Sequence, residues 1–290
     1  MHVKEGLLSV LCCPICHGAL EEREDGLSCQ ADPAHRFPIE DGFLTFAEID
    51  PGKYDASYAY RYAALWAYGY QTRNNGQNES LYRTVSSLVA EHLAARPNGS
   101  GSPLVVDAGC GVGRIAADCA ALAPSGAVIA LDGSVEMLRL ADSVGRGSTP
   151  TEVNLETCGF PHLSIPPRAL SNLFLARADI QQLPIVDSCA DVALSVNIID
   201  RLPEGPEAAF RECRRVLRPG GRLVFTDPLN WEKDRQWKDY GEGEAIISIL
   251  ESCGFVRDIW FDDLLYREVK DARGSVDEFR TLVVAARAVE

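Results

Sequence analysis

Basic residues are scarce in this chain. There are 28 Lys and Arg against 42 Asp and Glu, a net charge of −14, and no basic run interrupts the acidic balance. Residues 1–50 carry three cationic side chains, Lys4, Arg23 and Arg36, against ten acidic ones. Binding to long RNA or DNA draws on cations that neutralise phosphates, so a small-molecule partner is expected rather than a nucleic acid. Long apolar runs are also missing: none approaches the roughly 20 residues of a membrane span. The opening MHVKEGLLSV has no basic flank followed by a long apolar core. A cytoplasmic protein is therefore expected, in a reducing compartment where paired cysteines point to metal or catalysis rather than to disulfides. Apolar residues are not lacking. At 46% of 290 residues they suffice for one large packed domain with a small module beside it.

Cysteine is plentiful, with ten in all. Cys12, Cys13, Cys16 and His17 crowd into the stretch LCCPICHGAL. Cys13 and Cys16 form a C-x2-C knuckle, and Cys29 and His35 follow after a charged segment centred on Asp25-Gly26. The alternation around that Asp-Gly predicts a hairpin that returns the second pair to the first. Zinc takes four tetrahedral Cys and His ligands, and about 50 residues bury too little apolar surface to be stable without help. Structural Zn2+ on Cys13, Cys16, Cys29 and His35 is the expected arrangement. Cys12 and His17 are spare candidates that crowd the first pair, and a redox-active C-x2-C is the alternative. Cys119, Cys189, Cys213 and Cys253 sit in apolar contexts and read as small buried hydrophobes.

Asp50-Pro51-Gly52 breaks the chain. Seven of the nine tyrosines then fall between Tyr54 and Tyr82. Tyr54, Tyr58, Tyr62 and Trp66 have helical spacing, which suits either core packing or a lid whose rings face a ligand. A helix is expected over 79–95, and the run PNGSGSP over 97–103 is a loop.

Residues 104–114, LVVDAGCGVGR, read as a strand ending in Asp107, a turn of alternating glycines, and the start of a helix. Arg114 stands where the dinucleotide fingerprint G-x-G-x-x-G needs its last glycine, which argues against NAD or FAD. Further strands are expected at 127–132, near Phe174–Ile180, at 191–202 and at 217–228. A last strand at 279–288 lies antiparallel beside the segment from Val256. The strand–helix alternation predicts an α/β fold, a parallel sheet with helices on both faces. Ligands in such sheets bind beyond the carboxyl ends of the strands, where Asp107, Asp132, Asp179 and Asn197 fall. Residues 145–171 exceed a compact connection and read as a loop-like insertion near the active face.

The stretch D-x-G-C-G-x-G-R resembles motif I of class I S-adenosylmethionine (SAM) methyltransferases, and the later motifs follow in that family's order. The resemblance covers about residues 101–290 and implies a Rossmann-like, seven-stranded, mostly parallel sheet. It implies cofactor contacts from Asp107, Gly109, Cys110, Gly111, Gly113 and Arg114. It also implies contacts from Asp132, Gly133, Ser134, Met137, Asp179, Ile180 and Asn197. Asn197, Asp200 and Arg201, at the exit of the fourth strand, are then the catalytic candidates facing the methyl acceptor.

Residues 1–50 resemble the zinc-ribbon module that accompanies many methyltransferases. They also resemble the N-terminal finger of rRNA guanine-N1 methyltransferases. The C-terminal third is similar, in patches, to ovothiol-type N-methyltransferases, which implies Trp231, Tyr266 and Arg267 as substrate contacts beside Tyr54, Tyr58, Tyr62 and Trp66. The expected organisation is a zinc module over 1–50, an aromatic helical lid over 51–100, and a methyltransferase domain over 101–290. The expected function is methyl transfer from SAM to a small, amino-acid-like acceptor. An rRNA methyltransferase and a non-catalytic SAM-binding protein are the alternatives.

Overall fold

The computed structural model describes residues 6–47, 79–97, 99–154, 156, 159, 162–231, 234–269, 273 and 275–289. The expected lid residues Tyr54, Tyr58, Tyr62 and Trp66 lie outside the described residues, as does Cys158.

The N-terminal module is four short strands: β1 (Leu20–Arg23), β2 (Gly26–Cys29), β3 (Arg36–Glu40) and β4 (Phe43–Thr45). The Asp25-Gly26 turn forms as expected, with Leu20 opposite Cys29 in the β1–β2 hairpin. Helix α1 (Glu79–Ala94) leads into β5 (Leu104–Ala108), α2 (Arg114–Leu122), β6 (Ala127–Asp132) and α3 (Val135–Gly145). Next come β7 (Thr151–Val153), β8 (Leu163–Ile165), β9 (Leu173–Arg177), β10 (Ala190–Val196), α4 (Glu207–Val216) and β11 (Leu217–Asp227). The chain closes with α5 (Asp234–Tyr240), α6 (Gly243–Ser252), β12 (Phe255–Val269) and β13 (Val276–Ala288).

The sheet differs from the expected seven strands. Among the described residues it has eleven, in the order β1-β2-β3-β4-β9-β6-β5-β10-β11-β13-β12. Residues 104–288 supply seven of them, and the N-terminal module adds the other four at one edge. The join is a parallel pairing of β4 with β9, with Leu44 opposite Ala176 and Thr45 opposite Arg177. Backbone bonds from Phe46 N–H to Arg177 (2.8 Å) and from Cys12 N–H to Pro184 (3.1 Å) reinforce it. The insertion also differs from a bare loop. It carries a two-stranded hairpin, β7–β8, and is tied back to α3 by Arg168 N–H on Val144 and Leu170 N–H on Gly145.

Strand residues alternate between two apolar layers, as side chains on a pleated strand must. Val105, Val128 and Ala130 face α1, α2 and α3 on one side. Leu104, Val106, Ile129 and Leu131 face α4 and α6 on the other, in a layer that also holds Leu20, Leu27, Phe37 and Cys29 of the module. Phe210 of α4 and Phe225 of β11, both fully buried, meet with ring centroids 5.2 Å apart. The module thus shares one apolar layer with the rest of the chain. Leu27 is 2% exposed within that layer. Leu27→Ala is expected to cost about 2–5 kcal/mol of stability. In urea unfolding followed by circular dichroism and by tryptophan fluorescence, both probes should shift together in one transition. Two separated transitions would show that the module folds apart from the sheet.

Candidate functional site

The strand order reverses between β5 and β10: β6 and β9 lie to one side of β5, β10 and β11 to the other. At the carboxyl ends of these two strands is an open pocket lined by Tyr82, Asp107, Gly109, Arg114, Asn197 and Tyr266 among others. The turn after β5 gives the pocket its floor. Gly109, Gly111 and Gly113 all take positive φ, at 85°, 52° and 75°. A side chain at Gly109 would stand 3.0 Å from Ile198, and one at Gly113 would stand 2.8 Å from Ala141, so both steric room and backbone conformation demand glycine.

One acid anchors this turn and a second lies buried beside it. Asp132, at the end of β6, accepts the N–H of Gly111 and the N–H of Ser134, both at 2.8 Å, and so locks the first turn to the second. Ser134 caps α3 by accepting from the N–H of Met137. The N–H of Ala178 donates to the carbonyl of Asp132, and Asp179 holds its own turn by accepting from Gln181 N–H at 2.8 Å. Asp107 is 1% exposed, and its Oδ1 has no hydrogen-bond partner among the described residues. Burial, with the Asp132 carboxylate close by, pushes its carboxyl up to about 7. An orphaned buried acceptor on a pocket wall fits a ligand that donates a hydrogen bond there.

The exit of β10 is built differently from the expectation. Asn197 lines the pocket, in the left-handed region at φ 55°, with its N–H on Thr226 (2.7 Å) and its Oδ1 accepting from the Thr226 hydroxyl (2.8 Å). Asp200 lies behind it, 2% exposed, with Oδ2 accepting from Asn230 N–H at 3.0 Å and Oδ1 3.3 Å from Nε of the half-exposed Arg201. Asp227 completes a clasp by accepting from the N–H groups of Ile199, Asp200 and Leu229 at 2.9, 3.3 and 2.8 Å. Burial, with the Asp200 carboxylate beside it, holds the Asp227 carboxyl well above the usual range.

Of the seven aromatic and cationic side chains expected at the substrate, Trp231, Tyr266 and Arg267 are among the described residues, and of these Tyr266 lies in the pocket wall. Trp231 is 3% exposed and donates its indole N–H to the carbonyl of Tyr240 (3.0 Å), a packing role. Arg267 pairs with Glu278 along the β12–β13 ribbon. Tyr82 and Asp227 were not singled out from the sequence. Tyr82 stands one residue off the apolar stripe of α1, and Asp227 is one more acid at a strand end.

The four residues expected to hold zinc form a cluster whose geometry is compatible with a metal ion. The ligand atoms of Cys13, Cys16, Cys29 and His35 all lie within 4.8 Å of one another. Cys16 Sγ to Cys29 Sγ is 3.5 Å and Cys13 Sγ to His35 Nδ1 is 3.5 Å. A tetrahedral ion with sulfur bonds of about 2.3 Å would set sulfur–sulfur edges of about 3.8 Å. The other ring nitrogen, Nε2, lies 3.5 Å from Asp32 Oδ2, the kind of carboxylate support that orients a ligating histidine. A Cβ on Gly18 would come within 3.0 Å of Cys29 Sγ, so the knuckle needs glycine there. Cys12 is buried outside the cluster, its thiol pushed up to about 11 by burial.

Asp107 and the cluster each generate a measurement. A carboxyl raised from 3.8 to about 7 binds its proton more tightly in the folded state. The stability it contributes is complete below the unfolded value and is lost as pH rises towards 7. Asp107→Asn should flatten the fall in Tm between pH 4 and pH 8, measured without ligand, and an unchanged slope would refute the assignment. Cys16→Ser should abolish stoichiometric zinc by elemental analysis and lower Tm, whereas retained zinc would show a different ligand set.

Residues 106–225 match the family model described as the methyltransferase domain, and residues 4–42 match that of the Trm112p-like protein. An uncharacterized 37.1 kDa protein in transposon TN4556 of Streptomyces fradiae is 33% identical over 52% of this chain and 36% of its own length. The arsenite methyltransferase of Aquipseudomonas alcaligenes is 31% identical over 42% of this chain and 32% of its own length. The malonyl-[acyl-carrier protein] O-methyltransferase of Herminiimonas arsenicoxydans is 30% identical over 49% and 42%. This chain spans less than half the length of each of these curated relatives. Among solved structures, the N-methyltransferase NodS from Bradyrhizobium japonicum WM9 is 16% identical, with a TM-score of 0.46 over 74% of this chain and 98% of that one. Residues 4–42 are thus similar to a Trm112p-like protein and residues 106–225 to a methyltransferase domain.

Proposed function

We propose that this chain is a SAM-dependent methyltransferase acting on a small-molecule acceptor. The observation that carries this reading is the pocket at the switch point of the sheet, where the glycine turn, Asp107, Arg114 and Asn197 converge. Asp107, Gly109, Cys110, Gly111, Gly113 and Arg114 would hold the amino-acid and sulfur side of the cofactor. Asp132, Gly133, Ser134, Met137, Asp179 and Ile180 would hold its ribose and adenine. The sulfonium supplies a methyl group whose leaving thioether is neutral, so the protein's task is alignment more than proton transfer. Asn197 and Tyr266 line the acceptor side. Asp200 and Arg201 act one layer behind, where the clasp with Asp227 fixes the turn that carries Asn197. Zinc on Cys13, Cys16, Cys29 and His35 serves as a staple for the module.

A small acceptor is supported by the net charge of −14, which opposes a polyanion. Among the described residues no helix is long and apolar enough to cross a membrane.

Calorimetry with SAM is expected to show one site per chain. Asp132→Ala removes an acceptor for two N–H groups and for the ribose, and should weaken binding by about 10–100-fold at 25 °C. Labelled SAM supplied with small-metabolite pools and, separately, with purified rRNA should transfer its methyl group to the former. No SAM binding by the unaltered chain would sink the reading, and labelling of the rRNA alone would replace the acceptor class.

A further inference from the structure

Arg114 and Asp107 are the charged side chains in the pocket wall. If the pocket is the cofactor's, these two face its amino-acid end, with an ammonium for the carboxylate and a carboxylate for the guanidinium. A guanidinium recognises a carboxylate through a planar fork, so its orientation decides its value as a ligand contact. The structure surrounds Arg114 with groups that set this orientation. The ring of Tyr82, from α1, lies across the guanidinium at 4.8 Å from its centroid. Nε of Arg114 donates to Asp118 Oδ2 at 3.1 Å, one helical turn along α2. The other oxygen of Asp118 accepts from Arg168 at 2.5 Å. Arg168 belongs to the 145–171 insertion, and its own N–H is bonded to Val144 at the end of α3. All three side chains are more than two-thirds buried, at 15% exposure for Arg114, 22% for Asp118 and 27% for Arg168. Screening by water is correspondingly reduced.

We infer that Asp118 is a positioning residue: it fixes the Arg114 guanidinium against Tyr82, Arg168 fixes Asp118, and the insertion thereby sets affinity for the amino-acid end of the cofactor. This inference rests on the methyltransferase reading of the pocket. It gives the insertion a task that its length alone does not suggest. It also separates two contributions to binding, because adenosine recognition by the Asp132 turn does not pass through this chain of contacts.

Two probes distinguish the parts. S-adenosylhomocysteine carries both the adenosine and the amino-acid end, and 5′-methylthioadenosine carries the adenosine and thioether alone. Calorimetry on the full chain is expected to show Asp118→Asn weakening S-adenosylhomocysteine about tenfold while changing 5′-methylthioadenosine less than twofold. Arg168→Ala should show the same selective loss at smaller size, and adding it to Asp118→Asn should bring little further loss, as for members of one network. Equal weakening of both probes would mark Asp118 as a merely structural residue and overturn the inference, as would unchanged or tighter binding of S-adenosylhomocysteine. If the unaltered chain binds neither probe, the cofactor reading falls and takes this inference with it. If it binds both and only the selectivity is missing, the cofactor reading stands and the positioning role alone is lost.

Discussion

The central strands β5, β6, β10 and β11 are covered by apolar layers on both faces, and that coverage leaves their polar residues one place to go. Asp107, Asp132, Asn197 and Asp227 all sit in the last positions of these strands or just beyond them, at the same end of the sheet. In a parallel sheet every carboxyl end points the same way, so four short chain segments distant in sequence deliver their hydrogen-bonding groups to one rim. The glycine turn after β5 then brings backbone N–H groups to the same place. Asp132 ties that turn to the next, and the Asp200–Asp227 clasp ties the exits of β10 and β11 together. The pocket is the space these fastenings leave open at the reversal of strand order.

The same sheet explains the N-terminal module. Without it, β9 would be a bare edge, with unpaired backbone groups available to any passing strand. The pairing of β4 with β9 covers that edge and moves the boundary to β1, a four-residue strand bearing Glu21, Glu22 and Arg23. Such short, charged edges resist further pairing. Zinc on the Cys13–Cys16–Cys29–His35 cluster would hold the β1–β2–β3 hairpins in the shape that makes this possible. Its neighbours Leu20, Leu27 and Phe37 pack into the layer shared with α4 and α6. The Cys/His cluster and the pocket at the strand ends are therefore built from different residues yet belong to one sheet.

Much of this was legible in the residues themselves. The Asp25-Gly26 turn, the strand that carries Asp107 near its end, the helix beginning at Arg114 and the antiparallel closing strands follow from local pattern, and each lies within a few residues of where that pattern put it. The clustering of Cys13, Cys16, Cys29 and His35 was legible for the same reason, since ligand spacing encodes a tetrahedron. The roles of Trp231 and Arg267 were not. An indole buried against Tyr240 and a guanidinium paired with Glu278 differ from pocket residues only through contacts made by elements far away in the chain. Tyr82 was missed for the converse reason: nothing in α1 marks a tyrosine beside its apolar stripe until Arg114 is placed under the ring.

By itself the sequence determined the alternation of strands and helices, the glycine turn and the ligand spacing. These depend on backbone conformation and on neighbours within a few residues. The tertiary structure alone decided that the module extends the sheet to eleven strands and that the insertion reaches Asp118 through Arg168. It alone decided, too, that Asp200 turns inward to Asn230 while Asn197 lines the pocket. Those outcomes hang on which strand edges pair and which buried polar groups find partners, and no local pattern carries that information.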